Sequence, residues 1–271
     1  MSEELTLEDV ARQAIAGDRS AVEKLVRSLQ RDVYSLAVRM LWNREDAQDA
    51  TQEILVRVVT RLASFDFRSR LSTWAYRVAV NYLLDVKKSA VERMTLSFQR
   101  LADDLQEGLA DTGPLAHEAS VLVEDVKIGC TLAMLQCLDR PHRAAYILGE
   151  IFDLPGPEAA AALGIDPVVL RKRLARARSD VLVFARSYCG LASETAACRC
   201  NRRVPAALRL RRVNPDDPTF AEHAVSFDQL RAIVRRVEEG RRALEIHRSS
   251  HPRESCGDLL RQIMSAIDSR A

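Results

Sequence analysis

The five residues Leu163-Gly164-Ile165-Asp166-Pro167 constrain the fold of this chain more than any other stretch. Gly164 lets the backbone leave a helix in the left-handed conformation that only glycine adopts without penalty. Asp166 is placed to cap a following helix and Pro167 to start it, the preferred pairing at an N-terminus. Ahead of the turn, Pro157 suits a first helical position and Glu158 a first turn. Ile165 is expected to plug the angle between the helices. Beyond the turn, Leu170, Leu174, Ala177 and Val181 recur at helical spacing and are expected to pack inward. That leaves Val168, Val169, Arg171, Lys172, Arg173, Arg176 and Arg178 around the rest of the helix. A short helix, a glycine turn and a second helix presented by its N-terminal end make a helix-turn-helix unit. Cations on such a helix contact phosphates, and arginine pairs with guanine through two hydrogen bonds. The segment reads as DNA-binding.

Whole-chain charge does not decide the matter, because 40 Lys and Arg nearly cancel 38 Asp and Glu. The partner is read from where the charges lie. Aromatic residues are 5% of the chain and β-branched alternation is scarce, so the expected class is all-α. A length of 271 residues suggests about two domains. The start, "MSEELTLEDVARQAIAGDRS", has no basic and apolar secretory pattern, and no apolar run reaches the about 20 residues that span a bilayer. A cytoplasmic location without membrane insertion is expected, with six cysteines reduced or metal-bound rather than disulfide-paired.

Gly17-Asp18 is expected to end a short helix, and a longer one to run from about Ser20 to Leu41. A third helix is expected from Asp46 to Leu62, buried through Ala47, Ala50, Thr51, Ile54, Leu55, Val58 and Leu62. After "SFDFRSRLST", Ser72 is a candidate N-cap for a fourth helix from Thr73 to about Lys88, with Trp74, Val78 and Tyr82 on a buried face. From Leu101 to Val126 there is no Lys or Arg, while Asp103, Asp104, Glu107, Asp111, Glu118, Glu124 and Asp125 fall inside. This piece reads as an acidic linker with at most short helices, or as a plain solvated tether.

The order "REDAQDATQEILVRVVTRL", "FDFRSRLSTWAYRVAVNYLLDVKK", acidic linker, "LDRPHRAAYILGEIFDLPGPEAAAALGIDPVVLRKRLARARSDV" resembles bacterial RNA polymerase sigma factors of the extracytoplasmic-function group. The resemblance covers about two-thirds of the chain, from Ala11 to Tyr188. It implies two helical sigma domains: residues 1–92 (the second sigma region), a linker at 93–122, and residues 123–188 (the fourth region, with the helix-turn-helix). Residues 189–271 are left as a C-terminal extension. In the family, an acidic edge matching Asp46, Asp49, Gln52 and Glu53 docks on the clamp coiled coil of the polymerase's largest subunit. The fourth helix and its preceding loop open the minus-ten promoter element and take up a flipped base. Phe65, Phe67, Arg68, Arg70, Thr73, Arg77, Asn81 and Lys88 carry that role across, although Phe65 suits the core equally well. Val168, Val169, Arg171, Lys172, Arg173 and Arg176 are the implied minus-thirty-five contacts. Val169 stands where the family commonly has threonine, and Gly156-Pro157 replaces a serine and an acid, so the preferred promoter sequence is not carried over. The implied partners are core RNA polymerase, promoter DNA and an anti-sigma factor. A stand-alone helix-turn-helix regulator with an N-terminal partner-binding domain is the alternative.

In the extension, Cys189, Cys198 and Cys200 precede an arginine cluster from Arg199 to Arg212, which would add DNA affinity or solvate a turn. Three readings stay open for the thiols: unliganded, a zinc or copper site, or a redox pair. Paired CxxC spacing is absent, so a fourth ligand would be distant, with His223 and Cys256 as candidates. Cys130 and Cys137 suit the core as small residues, and His142, His247 and His251 stand alone. One amphipathic helix is expected around Phe227, Leu230, Ile233, Val234 and Val237, and a last short one striped by Leu260, Ile263, Met264 and Ile267. These could fold back on the sigma domains or pack on each other. No phosphate-binding glycine loop, HExxH or GxSxG is present, so neither catalysis nor an obligatory cofactor is expected.

Overall fold

The computed structural model describes residues 5–86, 96–107, 109, 119–221, 242–248 and 259–269. These are helices and turns, with one isolated backbone pairing of Cys189 and Cys198. In chain order the helices are α1 (Leu7–Ile15), α2 (Arg19–Leu41), α3 (Arg44–Thr60), α4 (Leu71–Asp85), α5 (Phe98–Gln106) and α6 (Ala119–Gln136). Next come α7 (Arg140–Tyr146, prolonged by a π turn at Ile147–Ile151), α8 (Gly156–Leu163), α9 (Pro167–Tyr188) and α10 (Cys200–Arg209). The last two are α11 (Arg242–Arg248) and α12 (Leu259–Asp268). The helix expected around Phe227, together with His223, His251 and Cys256, lies outside the described residues. No described helix is long and apolar enough to cross a membrane.

The chain divides into two compact units, one of residues 1–89, 154–171 and 254–271, the other of 90–153 and 172–253. In the first, local chemistry sets each boundary. Thr6 and Asp9 form a reciprocal cap on α1, and Gly17 takes φ +95° so that Asp18 can cap α2 through the Ser20 and Ala21 N–H groups. Trp42 ends α2 in the left-handed region, and the Asn43 side chain accepts from the Asp46 N–H at 2.8 Å. Packing of α1 to α4 buries Leu25, Leu36, Ile54, Leu55, Leu71 and Leu83 at 0% exposure.

Two expectations for α4 are corrected. The helix starts at Leu71, so Ser72 is inside it, and the Leu71 N–H is accepted by Glu8 Oε1 of α1 at 2.9 Å. A carboxylate distant in sequence supplies what a local cap would have given. Its buried face is Leu71, Ala75, Ala79 and Leu83, whereas Trp74, Val78 and Tyr82 are only half-buried. Small alanines let α4 approach the bundle closely, which turns the bulky rings to the side.

In the second unit, Gly149 meets α9 so closely that an added Cβ would stand 2.8 Å from Leu174 Cδ2. The acidic stretch is anchored within this unit. Asp104 of α5 receives Arg203 at 3.0 Å and Arg212 at 2.6 Å, and Asp125 of α6 accepts the backbone N–H groups of Thr219, Phe220 and Ala221. Burial tends to raise the Asp104 pKa, but the Arg212 hydrogen bond and the two guanidinium charges outweigh it and lower it overall. The arginine cluster is corrected accordingly: Arg203 is buried and, with Arg212, binds a carboxylate of its own chain. His142 caps onto Asp139, and His247 is buried with its ring edge-on to Tyr146.

Candidate polymerase and nucleic-acid interfaces

The apolar stripe of α3 turns into the bundle and leaves a polar edge. Asp46 and Asp49 are exposed, and Gln52 and Glu53 are half-buried. Glu53 pairs with Arg57 at 2.8 Å, and the Arg57 guanidinium lies 4.6 Å above the Tyr82 ring of α4. Burial raises the Tyr82 pKa, with the Glu53 and Asp49 charges adding to it, which places both carboxylates around that ring. The four polymerase-facing candidates thus occupy one helix edge. Helix α12 also packs on α3 and α2, burying Leu259, Ile263 and Met264 and pairing Asp268 with Arg19 at 2.9 Å. Val56 is 1% exposed although it falls outside the stripe read from the sequence.

The loop before α4 divides its aromatic residues between two tasks. Phe65 is buried, with its ring centroid 4.6 Å from Phe67 and 5.6 Å from Trp74, so of its two readings the structure places it in the core. Phe67 takes φ +57° and carries the Arg12 guanidinium 4.6 Å over its half-buried ring. A left-handed conformation at a bulky residue is a strained geometry of the kind that collects at functional loops. Arg68 and Arg70 project to solvent, their side chains 88% and 73% exposed. On α4, Arg77 and Asn81 are exposed, whereas Thr73 is 3% exposed and donates to Glu158 Oε2 of α8 at 3.2 Å. Arg70 faces the same carboxylate at 3.8 Å. Lys88 lies outside the described residues. Sequence reasoning missed Glu158 as the cover of the α4 face, and missed Arg12 and Glu8 as supports of the loop. All three act across long sequence separations.

The helix-turn-helix punctuation is present as expected. Gly164 takes φ +63°, its N–H bonds to Ala161, and Ile165 N–H reaches Ala160 O. The Val168 N–H donates to Asp166 Oδ1 at 2.6 Å, capping α9. Leu170, Ala177 and Val181 are buried, which turns Val168, Val169, Arg171, Lys172 and Arg176 outward and leaves Arg173 half-buried. Val168 and Val169 are 46% and 39% exposed, an apolar tip beside cations that suits thymine methyl groups and base edges. Arg178 is engaged instead by Glu150.

Cys189, Cys198 and Cys200 come together where α9 ends and α10 begins, and Cys130 of α6 joins them, contrary to its expected role as a plain core residue. Among the described residues, no three His, Cys, Asp or Glu side chains stand at metal-holding distance.

A polar-edged helical bundle, an arginine-bearing loop and a basic helix-turn-helix are the parts of a promoter-recognition protein. The Sigma-70 region 2 family matches residues 25–92, which contain α2, α3 and α4. The chain is 30% identical over 185 residues to the ECF RNA polymerase sigma factor SigE of Mycolicibacterium smegmatis, covering 66% of this chain and 67% of that protein. It is 28% identical over 187 residues to the ECF RNA polymerase sigma factor SigW of Bacillus subtilis, covering 65% and 94% respectively. A solved structure of CnrH in complex with the cytosolic domain of CnrY is similar at 22% identity and a TM-score of 0.47, covering 66% of this chain and 97% of that one. The chain belongs to the extracytoplasmic-function RNA polymerase sigma factors.

Proposed function

We propose that this chain binds core RNA polymerase through Asp46, Asp49, Gln52 and Glu53, and directs initiation by contacting a promoter at two elements. Arg68, Arg70 and the outer face of α4 serve the minus-ten element; Val168, Arg171, Lys172 and Arg176 serve the minus-thirty-five element. The protein acts in the cytoplasm and is not itself an enzyme. The observation that carries this reading is α9: a left-handed glycine turn, an aspartate cap and an exposed cationic first half, following a bundle with an acidic edge. Promoter-dependent run-off transcription with purified core polymerase tests it. Core-dependent transcripts support the reading, whereas duplex binding that is indifferent to core would favour a stand-alone regulator.

Arg171→Ala is expected to weaken upstream-element recognition by about 1–3 kcal/mol, read as a loss of discrimination between promoter and scrambled duplex. An unchanged ratio removes Arg171 from the base-reading set. The α4 face makes a further demand. Thr73 is covered by Glu158, so α8 has to withdraw before that face can meet DNA. Glu158→Ala removes the acceptor of Thr73 and the counter-charge of Arg70, and is expected to raise open-complex yield at limiting core, measured by permanganate reactivity of promoter thymines. Wild-type yield would show that Glu158 does not hold the face closed.

A further inference from the structure

We propose that Cys130, Cys189, Cys198 and Cys200 form a four-sulfur site for a soft divalent cation of the zinc class, closing the start of the C-terminal extension onto α6. The inference does not depend on the polymerase-binding reading.

Three separate pieces of chain bring these residues together. Cys189 and Cys198 pair side by side as an isolated parallel bridge, with the Gly190 N–H bonded to Cys198 O at 3.1 Å. A Cβ on Gly190 would stand 2.3 Å from that oxygen, so glycine permits the approach. The Arg199 guanidinium then ties the loop by donating to the carbonyls of Ala196, Cys198 (2.9 Å) and Glu194 (3.1 Å). Cys200 is buried at the first turn of α10, and α10 packs along α6, which carries Cys130.

The surroundings fit thiolates rather than thiols. Backbone N–H groups of Leu191 and Ala192, two and three residues on, donate to the Cys189 sulfur, an arrangement that stabilises negative charge there. Lys127 is 1% exposed and one turn before Cys130, on the same side of α6. Its ammonium lies 2.5 Å from Glu124 Oε1 but has no acceptor in hydrogen-bonding geometry, and it is close enough to Cys200 to act on its charge. Arg199 and Arg203 act likewise on Cys189 and Cys198. Neutral thiols gain little from buried cations. Four thiolates on a divalent ion carry two net negative charges, which such cations offset.

The same environment disfavours a redox pair. Burial, followed by mutual repulsion, pushes Cys130 and Cys200 well above the ordinary thiol range and Cys198 to about 11; burial also raises Cys189 despite its N–H donors. Oxidant sensors need a thiolate fraction at neutral pH, which these groups lack. A metal ion supplies its own drive for deprotonation: one divalent ion and four thiols give one tetrathiolate complex and four protons. Because no three donors yet stand at metal-holding distance, side-chain rotations must complete the site on a backbone already in place.

The full-length chain, reduced, stripped with chelator and desalted, is titrated with Co2+ and then Cd2+. The expected result is one equivalent bound, with thiolate-to-metal charge-transfer bands of tetrathiolate intensity, tetrahedral Co2+ bands and release of up to four protons per ion. Cys130→Ser and Cys200→Ser are expected to lower the band intensity as well as the affinity, while Cys137→Ser, outside the cluster, changes neither. Lys127→Met keeps every sulfur and is expected to weaken binding about tenfold with the same spectrum. Absence of saturable bands in the unaltered chain would overturn the proposal even if the variants fail to fold. Undiminished intensity in folded Cys130→Ser and Cys200→Ser, or a Cys189–Cys198 disulfide formed in preference to metal binding, would overturn it as well.

Discussion

Asp49→Lys combined with Glu53→Lys is expected to leave a folded chain that no longer binds core RNA polymerase. Asp49 is exposed and Glu53 half-buried, and neither belongs to the stripe through Ala47, Ile54 and Val58 that holds α3 in its bundle. The structural cost is therefore confined to the Glu53–Arg57 pair, whose loss and replacement by two like charges at i,i+4 is worth about 0.3–0.5 kcal/mol each way. The interface cost is far larger. Two carboxylates presented to a basic partner become two ammonium groups, and like-charge juxtaposition across an interface costs several kcal/mol, about 100-fold or more in affinity. Fluorescence anisotropy of labelled protein against core polymerase measures the loss, with far-UV circular dichroism confirming retained helicity. Wild-type affinity in the folded double variant would remove the α3 edge from the interface.

What the sequence revealed about this fold is what short-range chemistry decides. Gly17-Asp18 and Gly164-Ile165-Asp166 appear in three dimensions with the backbone angles and caps their residue types demand. The period of α3 was legible because its buried positions are all apolar or small. Legibility ended where a partner came from far along the chain. Ser72 looked like a cap, yet Glu8 takes the N–H of Leu71 from 63 residues away. The arginines at 203 and 212 looked free because their carboxylate, Asp104, is 99 and 108 residues distant. Thr73 has the chemistry of a DNA contact and shares a helix face with Arg77, but nothing local announces Glu158 above it.

Cysteines illustrate the same limit. Cys130 and Cys137 sit at helical spacing in an apolar stretch, so both looked like packing residues, and Cys137 does donate to its own helix at Ala133 O. Cys130 differs only through what α10 brings against it. The linker shows the converse: an absence of cations suggested a solvated tether, whereas Asp125 is 1% exposed and held by three backbone N–H groups from residues 219–221. Even so, burial leaves its pKa raised, a sign that desolvation there exceeds what the donors return.

Arg143→Ala is expected to destabilise the second unit by about 3 kcal/mol, the largest stability effect of any single residue considered. The Arg143 guanidinium is 4% exposed and donates to Leu135 O at 2.9 Å, Gln136 O at 3.4 Å and Leu138 O at 2.9 Å. These are carbonyls at the C-terminal end of α6, which the helix cannot satisfy itself and where its dipole favours a cation. Alanine leaves them buried without their charged donor, at roughly 1–3 kcal/mol for each unsatisfied group, partly relieved by water entering the space. Lysine restores the charge but, as a compact ammonium, cannot reproduce the planar fork, so Arg143→Lys is expected to recover only part of the loss. Both tryptophans, Trp42 and Trp74, lie in the first unit, so their fluorescence reports elsewhere. Amide hydrogen exchange along α6 and α7, alongside urea unfolding followed by circular dichroism, locates the change. Protection of Leu132 to Gln136 should fall in Arg143→Ala while α2 and α3 stay as in the unaltered chain. A change below about 0.5 kcal/mol, the scale of an ordinary surface substitution, would show that the α6 terminus is satisfied without this guanidinium.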